Sequence, residues 1–139
     1  MAQQVREIMT NAPVSVEPGT SVVEVARRMR DEDIGAVLVT EGERVRGLVT
    51  DRDLVVRVLC EGGDPDQHSV KEACSAELVS VSPNDEVGRA VQVMREHSVR
   101  RLPVLENGRA VGIVSLGDLA IERDPESALG DISSTKGNR

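Results

Sequence analysis

Gly47-Leu48-Val49-Thr50-Asp51-Arg52-Asp53-Leu54 returns 65 residues further on as Gly112-Ile113-Val114-Ser115-Leu116-Gly117-Asp118-Leu119. Both stretches run from a glycine through apolar residues to a hydroxyl side chain, with an Asp three positions later and then a leucine. That is the pattern of a strand handing over to a capped helix. Moving outward at the same offset, residues 5–55 align with 70–120 without a gap, and about a third of the positions are identical. Val5-Arg6-Glu7 falls on Val70-Lys71-Glu72, Val14-Ser15-Val16-Glu17-Pro18 on Val79-Ser80-Val81-Ser82-Pro83, and Met29-Arg30 on Met94-Arg95. One unit has been used twice.

Within a unit the periodicity predicts strand, helix, strand, strand, helix, an α+β arrangement. Val14 to Val16 reads as a short strand, and Thr20-Ser21 supplies capping hydroxyls for a helix, with Ser21-Val22-Val23-Glu24 fitting a capping box. Val22, Val25, Ala26 and Met29, matched by Val87, Ala90, Val91 and Met94, form its expected inner face. Ala36–Val39 and Val45–Val49 form a hairpin around Glu41-Gly42-Glu43, and the second copy turns at Glu106-Asn107-Gly108, a strong hairpin signal. The second helix starts at Asp51 with Leu54, Val55 and Val58 expected inward, and its counterpart starts near Leu116. Short helical lead-ins precede the units at Val5–Met9 and Val70–Cys74. The boundaries that follow are repeat one over 1–61, a Gly/Pro/Asp-rich linker over 62–68, repeat two over 69–123 and a flexible tail over 124–139, frayed from Ser133. A three-strand sheet with two helices is thin for one repeat, so the two are expected to pack as one pseudo-twofold module.

Composition narrows the function classes. The net charge of -7 repels a phosphate backbone, and with no Phe, Tyr or Trp in the chain there is no stacking platform, so nucleic acid is not an expected partner. The longest apolar runs are a handful of residues, far short of a membrane span, and Met1-Ala2-Gln3-Gln4-Val5-Arg6-Glu7 lacks the features of a signal peptide. The expected setting is the cytoplasm, with Cys60 and Cys74 reduced.

The repeated unit resembles the CBS domain. The residues that carry the resemblance are Val5-Arg6-Glu7-Ile8-Met9-Thr10, Val99-Arg100-Arg101-Leu102-Pro103-Val104 and the two stretches at 47–54 and 112–119. It covers about 5–59 and 70–123, and the lack of an attached domain is similar to free-standing bacterial CBS proteins. The resemblance implies a non-catalytic regulatory pair, commonly a homodimer, read by a regulated protein. It also implies clefts between the repeats that bind AMP, ADP, ATP or another adenosyl compound such as S-adenosylmethionine.

Two pairs stand where this chemistry is expected, Thr50 with Asp53 and Ser115 with Asp118. A helix start offers unpaired N–H groups and a positive dipole end to a phosphate, and an Asp one turn on accepts the hydroxyl protons of a ribose diol. The same residues at the same spacing also make an ordinary helix cap worth about 1 kcal/mol, and duplication copies caps as readily as sites. Arg100 and Arg101 add guanidinium forks suited to phosphate, where repeat one has Gly35 and Ala36, so repeat two is expected to dominate. Arg100 paired with Glu96 or another surface acid is the plainer alternative, and Arg52 is a weaker candidate, more often a solvated side chain.

The competing classes are a structural or stress-response dimer without nucleotide, redox- or metal-linked through Cys60 and Cys74, and an enzyme. His68, His97, Cys60, Cys74, Asp64 and Asp66 match no zinc spacing, and the thiols are expected as small packed residues. No nucleophile–base arrangement or phosphate-loop pattern is present, so no catalytic residue is assigned.

Overall fold

The computed structural model describes residues 3–75 and 77–135. In chain order its strands are β1 (Thr10–Asn11), β2 (Ser15–Val16), β3 (Ala36–Glu41), β4 (Arg44–Thr50), β5 (Arg101–Glu106) and β6 (Arg109–Ser115). The helices are α1 (Val22–Glu32), α2 (Asp51–Asp53), α3 (Val87–His97), α4 (Leu116–Arg123) and α5 (Ala128–Ser133). Beyond Asp53 the chain stays helical through a π turn at Leu54–Val58 and a 3-10 turn at Leu59–Glu61. Two spatial units emerge, an N unit of residues 14–78 and a C unit combining the residues before Val14 with those from Val79 onward.

The N unit has the sheet order β2-β3-β4, with β2 parallel to β3 and β3–β4 an antiparallel hairpin. Helix α1 makes the crossover from β2 to β3. It starts where the Ser21 hydroxyl accepts from the Glu24 N–H at 3.1 Å, half of the expected capping box, and stops where Asp33 turns left-handed. Val22, Val25 and Met29 are buried on the sheet, but Ala26 faces out. On the second helix Leu54 and Val58 are buried and Val55 is 53 % exposed, which corrects the expected inner face. Residues four apart share a helix face, and only the Leu54–Val58 row finds cover.

In the C unit the order is β1-β6-β5. Here β1 pairs antiparallel with β6, and a parallel bridge between Val81 and Val104 stands where β2 stands in the N unit. Both hairpins slip register by one bulge at the same place, Val39/Thr40 and Val104/Leu105. The Asn107-Gly108 turn has positive φ at both residues, as the dipeptide predicts. On α3 the buried residues are Val87, Ala90, Val93 and Met94, while Val91 faces outward.

The lead-ins cross over. The 3-10 turn Val70–Ala73 completes the N unit: Val70 donates to the Thr20 carbonyl at 2.7 Å, and Val22 to the His68 carbonyl at 2.9 Å. The turn Val5–Glu7 completes the C unit, Val5 donating to the Asp85 carbonyl at 2.8 Å and Val87 to the Gln3 carbonyl at 2.9 Å. Val5, Val70 and Ala73 are wholly buried in these positions. Each unit in space is therefore built on one repeat and the lead-in of the other.

Structure also continues past Arg123, where a flexible tail was expected. The Ser127 hydroxyl caps α5, which packs on α4, and a Cβ at Gly130 would lie 2.4 Å from the Asp124 carbonyl oxygen. Only glycine lets the two backbones come that close. The last four residues of that expected tail lie outside the described residues.

Candidate functional site

In the N unit β4 runs into α2 at Thr50. The Thr50 hydroxyl accepts from the Asp53 N–H at 3.1 Å, and Asp53 Oδ2 accepts from the Thr50 N–H at 2.9 Å. The remaining N–H groups of the first turn are also taken. Asp51 donates to the Gly35 carbonyl at 3.0 Å, and Arg52 to its neighbour's Asp51 Oδ1 at 2.8 Å. The second carboxylate oxygen of Asp53 faces Arg57 Nε at 3.4 Å. Thr50 and Asp53 thus form a complete cap with little left over. The Arg52 side chain is exposed, as its weaker standing implied.

The C unit repeats the cap with different surroundings. The Ser115 hydroxyl accepts from the Asp118 N–H at 3.1 Å, and Asp118 Oδ2 accepts from the Ser115 N–H at 2.8 Å. Leu116 donates to the Arg100 carbonyl at 2.8 Å, while the Gly117 N–H has no partner among the described residues. Asp118 Oδ1 is likewise uncommitted, because the position matching Arg57 is Glu122. Burial holds the Asp118 carboxyl above its ordinary value, partly offset by the backbone and hydroxyl bonds from Ser115.

Sheet register brings the arginines to this cap. Arg101 lies directly across the β5–β6 ladder from Ser115, so their Cα atoms are roughly 5 Å apart. Arg101 is half-buried and Arg100 exposed, and neither makes an ion pair or side-chain hydrogen bond among the described residues. The Arg100–Glu96 pair does not form. Across the N-unit ladder Ala36 stands opposite Thr50 instead. The register and the Leu116–Arg100 bond bring the backbones of Arg100, Arg101 and Ser115 together at the start of α4. Arg57, which the sequence reading missed, was signalled by its i,i+4 spacing from Asp53.

One thiol follows the expectation and one does not: Cys74 packs against the N-unit core, and Cys60 stands outside it. Cys60 is exposed rather than packed, with Sγ 2.9 Å from the Val56 carbonyl. Cys74 is half-buried, and burial followed by the nearby Asp53 charge pushes its thiol up, against a smaller opposing effect from Arg57. His68 Nδ1 lies 3.0 Å from Glu72, whose carboxyl is lowered first by that contact and then by the Ser69 N–H. Among the described residues no group of three or more His, Cys, Asp or Glu side chains is placed to hold a metal, and no helix is long and apolar enough to cross a membrane.

This duplicated strand-to-capped-helix unit is the CBS domain, and the chain belongs to that family, whose model matches residues 5–59 and again 70–123. It is 38 % identical over 126 residues to the CBS domain-containing protein YhcV of Bacillus subtilis, spanning 91 % of this chain and 89 % of that one. Hypoxic response protein 1 of Mycobacterium tuberculosis matches at 35 % identity over 125 residues, 89 % of this chain and 87 % of that one. A crystal structure of Hypoxic Response Protein I with two coordinated zinc ions superposes with a TM-score of 0.78 at 34 % identity, covering 86 % of this chain and 98 % of that one. A CBS domain pair solved in complex with methylthioadenosine and S-adenosyl-L-methionine gives a TM-score of 0.81 at 17 % identity over 91 % of this chain and 100 % of that one. That last likeness establishes the fold alone.

Proposed function

We propose that the chain is a non-catalytic regulatory module that binds an adenosyl compound (AMP, ADP, ATP or S-adenosylmethionine), with the C-unit junction as its principal site. One observation carries the reading: beside two arginines without counter-ions, Asp118 Oδ1 and the Gly117 N–H remain uncommitted after the cap is complete. In this assignment Asp118 Oδ1 accepts from the ribose diol. The Gly117 N–H and the Arg100 and Arg101 guanidinium groups hold phosphate, and the Ser115 hydroxyl turns its proton from Asp118 to join them. The adenine lies against aliphatic side chains, since the chain has no aromatic ones. Thr50 and Asp53 form the weaker site, because their helix N–H groups and second carboxylate oxygen are already engaged.

Regulation requires that the ligand bind two states of the module unequally, and that a partner protein read the difference. A cytoplasmic homodimer is the assembly we assign, supported by the exposed Val55, Val56 and Leu59 on one helix. A solution mass of twice the chain supports this, and any other mass overturns it. The metal-linked alternative has its support in the zinc of the mycobacterial relative's namesake structure, and calorimetry with zinc checks it.

The deciding experiment uses the missing aromatics. Without Trp or Tyr the protein is nearly transparent in the near-ultraviolet, so co-purified adenine stands out in an absorbance scan. Calorimetric titration with the four compounds follows, and Arg101→Ala is expected to weaken binding about tenfold. A blank scan with no heat from any of them, or unchanged affinity in Arg101→Ala, overturns the assignment.

A further inference from the structure

The duplication makes each unit an internal control for the other, and the groups that line one N-unit cavity are only partly repeated in the C unit. In the N unit a cavity of about 490 Å³ opens at the hairpin end of the sheet. That volume is within the ~300–1,000 Å³ of small-molecule sites. Its floor is Val39 and Pro18, its charged groups are Arg46, Lys71 and Glu41, and Cys74 and Ser75 complete the lining. Its charged end lies away from the Thr50–Asp53 cap, since Arg46 and Thr50 sit four residues apart on β4, roughly 13 Å along a strand, while Cys74 on its wall feels the Asp53 charge.

Pro18, Val39 and Glu41 recur in the C unit as Pro83, Val104 and Glu106, but the other four lining positions differ. Cys74 corresponds to Met9, whose sulfur would lie 2.6 Å from a Cβ at Gly112, whereas the Cys74 sulfur leaves 3.4 Å at the matching Gly47. Ser75 corresponds to Thr10, which is paired into β1 against Ile113. Lys71 corresponds to Arg6, whose guanidinium is tied to the Asn84 side chain. The residue matching Asn84 is Gly19, so the Lys71 ammonium has no hydrogen-bond or ion-pair partner among the described residues beyond a through-space effect on Glu72. Arg46 replaces Val111. Its one pair, to Glu41 at 3.5 Å with both side chains mostly exposed, is weak and open to exchange with a ligand anion.

We propose that this cavity is a second ligand site, for a small organic anion. Its carboxylate or phosphate group lies between Arg46 and Lys71, a hydroxyl or amino group faces Glu41, and its carbon skeleton rests on Val39 and Pro18. The site binds through these charged and apolar groups, without covalent chemistry.

The test is a ¹H–¹⁵N titration of the full chain with glycerol 3-phosphate, lactate and inorganic phosphate. The expected result is amide shifts at Arg46, Lys71 and Cys74, with an organic anion bound more tightly than inorganic phosphate. Lys71→Gln, and Cys74→Met copying the C-unit residue, are each expected to lower that affinity about tenfold. AMP binding in Lys71→Gln should equal wild type. No shift at these residues by about 10 mM, where a millimolar site is occupied, overturns the proposal. So does inorganic phosphate binding as well as the organic anions, or wild-type affinity in either variant. Should Cys74→Met fail to fold, Lys71→Gln decides alone.

Discussion

On the proposed reading Asp118 has two duties that separate experimentally. As a cap partner it shares its work with Ser115, and Thr50 does the same in the N unit, so Ser115→Ala and Thr50→Ala should each cost about 1 kcal/mol in urea unfolding. On the proposed reading the C-unit pair is the principal ligand group, so Ser115→Ala should also lower adenosyl affinity while Thr50→Ala leaves the principal site intact. Protonation gives a second handle. The folded-state pKa of Asp118 lies above the unfolded one, so between the ordinary carboxylate value and the raised one the folded state holds more protons. Stability from this group therefore falls as pH rises through that window. Ligand affinity runs the other way: an ionised acceptor suits two hydroxyl donors, so binding should weaken on acidification from a pH above the ordinary Asp range of about 4. Calorimetry across that range in wild type and Asp118→Asn checks it, the variant showing weak binding without the slope. The residue identities at both junctions were legible in the sequence. Which atoms stay free was not, because that depends on Arg57 reaching Asp53 and on Glu122 standing where a second arginine would be.

Among the elements, the hairpins, both main helices and the hydroxyl caps were readable because turn dipeptides and capping residues act locally. Inner faces were less so. Hydrophobicity marked Val55, Ala26 and Val91 as candidates for burial, but a narrow sheet covers only one row of each helix, and Val93 took a place the pattern left open. Val55→Ala should accordingly change stability by no more than about 0.5 kcal/mol, whereas Val58→Ala should cost about 2 kcal/mol by denaturant unfolding. The sequence after Arg123 shows no apolar helical period because α5 turns small residues, Gly130 and Ser133, toward α4 and leaves Leu129 and Ile132 outside. Gly130→Ala forces a methyl group into the Asp124 carbonyl. The expected result is a loss of about 1–3 kcal/mol and faster hydrogen exchange across α5.

At the level of the whole molecule, self-comparison revealed the repeat but assigned each lead-in to the repeat that follows it. Nothing in Val5 or Val70 tells which sheet it will join, since each is an apolar residue in a short turn and pairing is settled by the backbone it meets. Val5→Ser should therefore reduce hydrogen-exchange protection in residues 79–123 and leave 14–58 near wild type, the reverse of what chain proximity suggests. Cutting the chain between Gly62 and Gly63 takes the same feature to its end. Each fragment carries the piece that its counterpart lacks, so either one made alone should stay unfolded by far-ultraviolet circular dichroism. Mixed in equal amounts they should regain the native spectrum, a two-piece protein in which neither part is a domain.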